Sequence, residues 1–203
     1  MAKSDGWGAN RGQTFPVEVL TPEEVDLLIR SCSTRGSAGI RDAGLVATLY
    51  FAGLRVQEAL DLLPRDLDLA AGTINVQRGK GGRQRVATLI GSAGGALIQR
   101  WLDRRHKLGL SGRCRLFCTL FGTPTAQSNV RQAFQRLKER AGIEKRVHPH
   151  GLRHSHAHYL SMTGKVPLTA IQGQLGHTNL TTTARYLDHL APEARVAILR
   201  GID

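Results

Sequence analysis

Between Asp66 and Leu89 the apolar residues stop recurring every three or four positions and begin to alternate. Thr73-Ile74-Asn75-Val76-Gln77 and Arg85-Val86-Ala87-Thr88-Leu89 flank Gly79-Lys80-Gly81-Gly82, and two such runs joined by a glycine-rich turn predict an antiparallel hairpin. The segments on either side have helical spacing. The expected fold class is therefore mainly α with a small antiparallel β-sheet (α+β).

The helices announce themselves by their ends. Thr21-Pro22-Glu23-Glu24 offers an N-cap, a proline at the first helical position and a glutamate placed to close a capping box ahead of Val25-Asp26-Leu27-Leu28-Ile29. A second helix is expected from Ala38 to Gly53, where the glycine breaks it just before Arg55, and Arg55 to Leu62 reads as helix again. Further helices are expected near 93–107, near 129–141 with Ser128 as cap, around His150, and before and around Tyr186. Residues 1–15, rich in Gly, Ser, Asn and charge, have neither period and read as a flexible arm; residues 16–203 then form one domain.

Charge narrows the choice of partner. The 28 Lys and Arg against 16 Asp and Glu give a formal net charge of +12, which predicts attraction to a polyanion. The basic residues are scattered over several elements instead of lining one amphipathic helix, which favours nucleic acid over a membrane surface. No window is apolar enough for a signal peptide or a membrane span, and three cysteines, Cys32, Cys114 and Cys118, imply no paired framework. A soluble protein of a reducing cytoplasm is the expectation.

Several sharper readings fail on their spacing. His154 and His158 are one helical turn apart, as zinc ligands are, but no nearby Cys or acidic residue completes the set. Cys114 and Cys118 lack a matching pair, and the Gly79 to Gly82 turn lacks the Ser or Thr that follows the lysine of a nucleotide loop. Asp61, Asp66 and Asp68 can be read as metal-nuclease carboxylates, although capping and strand-edge roles are commoner.

The residues that remain suit phosphodiester cleavage without metal, which needs a nucleophile, neutralisation of the non-bridging oxygens and a proton for the leaving alkoxide. Arg55 and Arg153 are permanently charged forks able to pair bidentately with phosphate. His150 and Arg153, three residues apart, leave the same face of a helix, and an imidazole is poised to take a proton at neutral pH. His177 adds a hydrogen-bond donor, Tyr186 is the candidate nucleophile, and Lys80, the sole lysine between Lys3 and Lys107, is the candidate acid.

These residues and spacings resemble the catalytic domain of the tyrosine recombinase, or phage integrase, family. Gly53-Leu54-Arg55-Val56-Gln57-Glu58 is similar to its first-arginine motif and Gly79-Lys80-Gly81 to its lysine hairpin. His150-Gly151-Leu152-Arg153-His154 resembles its histidine-arginine box and Leu175-Gly176-His177 its third-position histidine, with Tyr186 nine residues further on. The parts occur in family order over about residues 18–190, and six positions agreeing in type, order and spacing are far more specific than any one motif.

The resemblance implies a site-specific recombinase or integrase in which Tyr186 attacks a DNA phosphate to give a 3′-phosphotyrosyl intermediate. Arg55, Arg153 and His177 would hold the phosphate, His150 would act as general base, Lys80 as general acid, and Glu58 would support the arginines. The covalent linkage conserves the bond energy, so neither metal nor ATP is expected. Arg78, Arg83 and Arg85 are expected against DNA phosphate beside Lys80. The partner would be double-stranded DNA, bound by a monomer in solution and a homo-tetramer on paired sites, in the cytoplasm of a prokaryotic host or encoded by a phage or mobile element. The family's N-terminal core-binding domain is expected to be absent. Two other classes compete: a non-catalytic DNA-binding regulator with a helix-turn-helix over Pro167 to Arg185, and the metal-dependent nuclease using the aspartates.

Overall fold

Thr21 turns an extended lead-in into α1 (Pro22–Arg30) through the expected capping box, its Oγ1 accepting from the Glu24 amide at 3.3 Å and its own amide donating to Glu24 Oε2 at 2.8 Å. The computed structural model describes residues 18–77 and 84–176. The lead-in is tied down from far along the chain. The Leu20 amide donates to Ser155 Oγ at 2.8 Å, and Lys145 Nζ donates to Val19 O and to Glu24 Oε2.

The centre is α2 (Ser37–Phe51), a helix apolar on nearly every side, with Ile40, Leu45, Val46, Ala47, Leu49 and Tyr50 all buried. Such a helix is stable only when surrounded. Helices α4 (Ser92–Lys107) and α6 (Pro149–Met162) pack along it, and α1 and the short α3 (Val56–Asp61) close the remaining sides. Full burial of each large apolar side chain contributes about 1.5–3 kcal/mol.

The alternating segment forms the sheet, with one strand more than the expected hairpin. A 3₁₀ turn at Pro64–Asp66 leads into β1 (Leu67–Asp68), which pairs antiparallel with β2 (Thr73–Val76); β2 pairs antiparallel with β3 (Arg85–Thr88), Val76 lying opposite Arg85. Ile74, Val76 and Ala87 face the core, whereas Val86 points outward. A strand as short as β1 has no period to detect, which is why the sequence hid it. The Ile90 amide then donates to the Phe51 carbonyl at 2.9 Å and hooks the sheet to the end of α2.

After α4 the chain makes a long loop ordered around one buried cation. Arg105, 3% exposed, donates to the carbonyls of Ser111, Cys114, Arg115 and Leu116 at 2.7–3.3 Å and lies 5.9 Å from the Trp101 ring centroid. Helix α5 (Gln127–Ala141) begins after Ala126, so Ser128 falls inside its first turn and is not the cap. Ala126 offers no side-chain acceptor; the start of the helix is anchored instead by Gln127 Nε2 donating to Gln57 Oε1 of α3 at 2.7 Å. Helix α6 is capped by His148, whose Nδ1 accepts from the Gly151 amide at 3.0 Å. Its second half, with Ala157 and Leu160, packs on Ile171 and Leu175 of α7 (Leu168–Leu175) in a small second core.

All three cysteines are free, Cys32 and Cys118 buried and Cys114 partly so. Among the described residues no helix is long and apolar enough to cross a membrane.

Candidate active site

The site is built where α2 ends. Phe51 closes the helix, and the chain reverses at Gly53, whose φ of +63° lies in the left-handed region. Leu54 anchors the turn in the core, and Arg55 becomes the N-cap of α3. The Arg55 amide donates to Glu58 Oε2 at 2.9 Å while its Nη1 donates to Glu58 Oε1 at 2.7 Å, so one carboxylate both caps the helix and orients the arginine on it. Arg55 Nη2 also reaches the Gly176 carbonyl at 3.4 Å.

Two further guanidiniums converge on that carboxylate. Arg85, at the start of β3, makes a two-pronged pair, Nη1 to Oε1 at 2.9 Å and Nη2 to Oε2 at 2.8 Å. Arg153 of α6 places Nη1 3.9 Å from Glu58 Oε2, donates Nη1 to the Gly53 carbonyl at 2.6 Å and Nη2 to the Leu175 carbonyl. Glu58 is only 5% exposed. Burial alone would push its carboxyl up, but hydrogen bonds from Arg85 and from the Arg55 amide and guanidinium, with the Arg85 charge, hold it at about 2. It is an anion throughout the physiological range.

His150 sits at the solvent-facing start of α6, one turn before the buried Arg153, with its ring edge-on to His154 at 4.2 Å between centroids. Crowding by protein, then the positive charges of Arg153, His148 and Arg55, lower its pKa from the ordinary 6.5. The imidazole is therefore neutral at pH 7, the state a proton acceptor requires.

The structure thus brings Arg55 and Glu58 of α3 and His150 and Arg153 of α6 into one neighbourhood. Lys80, His177 and Tyr186, and the basic residues Arg78 and Arg83, lie outside the described residues. Arg85, expected against DNA phosphate, has its guanidinium turned inward onto Glu58 and the Gln174 carbonyl. The buried carboxylate is a stronger partner than solvent, and single-strand alternation gave no sign of it. Gln174 is a contributor that sequence reasoning passed over. Its Nε2 donates to the Ala52 and Thr88 carbonyls and its Oε1 accepts from the Thr88 amide, stitching α7 to both the α2 end and β3. Only its place just before Leu175-Gly176-His177 hinted at this.

The aspartates have local work. Asp66 accepts from the Leu63 amide and Asp68 from the Ala71 amide, both turn bonds, and Asp61 faces Gln57 and Arg115. On α6, His156 is fully buried against the Gly53 turn, and among the described residues neither ring nitrogen finds a hydrogen-bond partner of good geometry. Burial pushes its pKa down to about 4; the Tyr50 backbone opposes the shift and Arg153 adds to it. Below pH 6.5 the unfolded chain therefore binds a proton that the folded chain refuses until about pH 4, so stability falls as pH drops through that window. Urea unfolding at pH 4.5 should give roughly 2 kcal/mol less stability from this group than at pH 7, and His156→Leu should flatten the profile by that amount. An unchanged profile would mean that His156 is not buried neutral.

Similarity to known proteins agrees with this geometry. The sequence model of the phage integrase family matches residues 18–193. A tyrosine recombinase XerC of Xanthomonas campestris pv. campestris is 36% identical over 179 residues, covering 86% of this chain and 53% of that protein. An Escherichia coli XerC is 38% identical over 157 residues, 75% of this chain and 51% of that protein, so the chain spans about half the length of these curated relatives. The crystal structure of XerA recombinase superposes with a TM-score of 0.80 at 28% identity, over 94% of this chain and 67% of that one. XerH site-specific recombinase, in a post-cleavage complex with its palindromic difH substrate, superposes at 0.74 and 26% identity, over 93% and 54%. With the family model matched across the described residues, a recombinase relative at 36% identity and a shared helical frame with its small antiparallel sheet, the chain belongs to the phage integrase family of tyrosine recombinases.

Proposed function

We propose that this chain carries the strand-cleaving and rejoining domain of a tyrosine-type site-specific DNA recombinase. The observation that carries the reading is the convergence of Arg55 and Arg153, from segments about a hundred residues apart, on the buried Glu58 beside a neutral His150. Two guanidiniums of fixed orientation suit a phosphodiester whose charge grows in the transition state, and a neutral imidazole suits removal of a phenolic proton. Arg55 and Arg153 neutralise the non-bridging oxygens, and His177 donates to one of them. His150 takes the proton from Tyr186 as its oxygen attacks phosphorus. Lys80 protonates the departing 5′-oxygen, leaving a 3′-phosphotyrosyl bond, and attack by a 5′-hydroxyl reverses the step on the same or a second strand. The partner is double-stranded DNA, with a homo-tetramer on paired sites as the working assembly, acting in the cytoplasm. A helix-turn-helix regulator would need neither the Arg55 turn nor its carboxylate.

The chain has three tyrosines. Tyr50 is buried in the core, and burial together with Tyr159 and Glu23 pushes its phenol up to about 12, while Tyr159 is exposed beside it. Incubation with a suicide substrate carrying a nick next to the cleavage site, in EDTA, is expected to give a denaturation-resistant protein–DNA adduct. Digestion and mass spectrometry should find the nucleotide on the peptide containing Tyr186. Attachment at Tyr159, or no adduct on any family-type site, would remove the assignment.

A further inference from the structure

Arg85 touches both Glu58, the carboxylate that also faces Arg55 and Arg153, and the Gln174–Gly176 turn, and its guanidinium is spent on protein. Two of its nitrogens grip both oxygens of Glu58, and its Nε donates to the Gln174 carbonyl at 3.2 Å. Its side chain lies flat on Gly176, where φ is +62° and an added Cβ would come within 2.9 Å of Arg85 Cδ and Nε. That glycine also presents its carbonyl to Arg55, and the carbonyl before it, of Leu175, receives Arg153. Arg85 itself opens β3, which follows the segment containing Lys80 in the sequence.

We propose that Arg85 is a positioning residue and not a DNA contact: it locks the Glu58 carboxylate, the Gln174–Gly176 turn and the base of the β2–β3 hairpin into one register, so that Arg55 and Arg153 are presented together. The proposal rests on the recombinase reading for its consequence but not for its geometry. The Glu58–Arg85 fork is a planar, two-bond contact that fixes an angle as well as a distance, which a lysine cannot do. Without it the carboxylate keeps Arg55 by an in-helix contact but is free to rotate, and the Gly176 turn loses the surface it rests on.

The test separates positioning from phosphate contact. Arg85→Ala and Arg85→Lys, with folding checked by circular dichroism, are compared with wild type in single-turnover cleavage of the suicide substrate over a range of DNA and salt concentrations. The plateau rate is expected to fall about a hundredfold in both, as for a misplacement of about 1 Å in a catalytic group. DNA affinity and its salt slope should stay as in wild type, and added methylguanidinium should restore part of the plateau rate in Arg85→Ala. Independently of cleavage, carbon-13 NMR of the glutamate carboxyls, with Glu58 assigned from Glu58→Gln, should show Glu58 titrating near 2 in wild type and moving toward 4.5 in the variants. If Arg85→Ala does not fold, Arg85→Lys carries both measurements.

A salt slope reduced by about 1 with an unchanged plateau rate would make Arg85 a phosphate contact and overturn the proposal. So would a Glu58 titration that ignores the substitution. Absence of any adduct with wild-type protein would instead sink the recombinase reading, and the Glu58 titration would still decide the role of Arg85.

Discussion

Arg153→Lys is expected to slow strand cleavage by about a hundredfold to a thousandfold at saturating DNA, the range found when one preorganised donor is removed from a charged transition state. Arg153 is 2% exposed and its guanidinium already spans two carbonyls, Gly53 on one side and Leu175 on the other, with Glu58 at 3.9 Å. A lysine ammonium is a point donor at the end of a flexible stem and cannot span both carbonyls while facing a phosphate. One buried carbonyl then loses its partner, at a cost of about 1–3 kcal/mol in stability. The two effects have separate readouts, single-turnover cleavage and thermal unfolding. Near-normal cleavage by a folded Arg153→Lys protein would take Arg153 out of the site, whatever happened to its Tm.

Gly53→Ala is expected to cost about 3 kcal/mol of folding stability. Part comes from the left-handed φ of +63°, which an alanine adopts at a penalty of about 1 kcal/mol. The larger part is steric: the new methyl would fall 2.4 Å from His156 Cδ2, inside a core that cannot yield without moving α6. Because the Gly53 carbonyl receives Arg153 and Arg55 follows two residues later, cleavage should fall with stability. Truncating the obstacle isolates the steric share. In a urea-unfolding cycle, Gly53→Ala combined with His156→Ala should lose at least 1 kcal/mol less than the sum of the single variants. Strict additivity would mean that the clash does not exist and that only backbone conformation demands glycine.

How much of this was legible in the sequence depends on how far apart the interacting residues lie. The α1 cap, the Gly53 break and the hairpin strands are local, and Thr21, Glu24 and the alternation at 73–77 announced them. The pairing of Arg55 with Glu58 also lies within one helical turn. Longer-range partners left no local trace. Arg105, near the end of α4, has the spacing of an ordinary solvated C-terminal cation, and only the fold shows it buried under four carbonyls of the following loop. Arg85 stood among Arg78, Lys80 and Arg83 and looked like one more basic tip residue, since strand alternation says which face a side chain takes but not what waits there. His156, in a row of histidines, gave no sign that it was the one against Gly53. The missed strand β1 and the cap at Ala126 fail for a different reason: two residues carry no period, and an alanine offers no capping side chain to recognise.

The cluster around Glu58 also has an electrical consequence. Three guanidiniums, those of Arg55, Arg85 and Arg153, gather around a single carboxylate, so the group carries three positive charges against one negative, a surplus of two. The folding energy of the core holds this imbalance in place before any substrate arrives, and part of the cost is mutual repulsion among the arginines. A bridging phosphate diester, and still more its transition state, brings in negative charge that relieves that repulsion. The resting protein is thus under electrostatic tension that, on the proposed reading, a phosphodiester discharges, and the relief is greatest where phosphorus is most negatively surrounded.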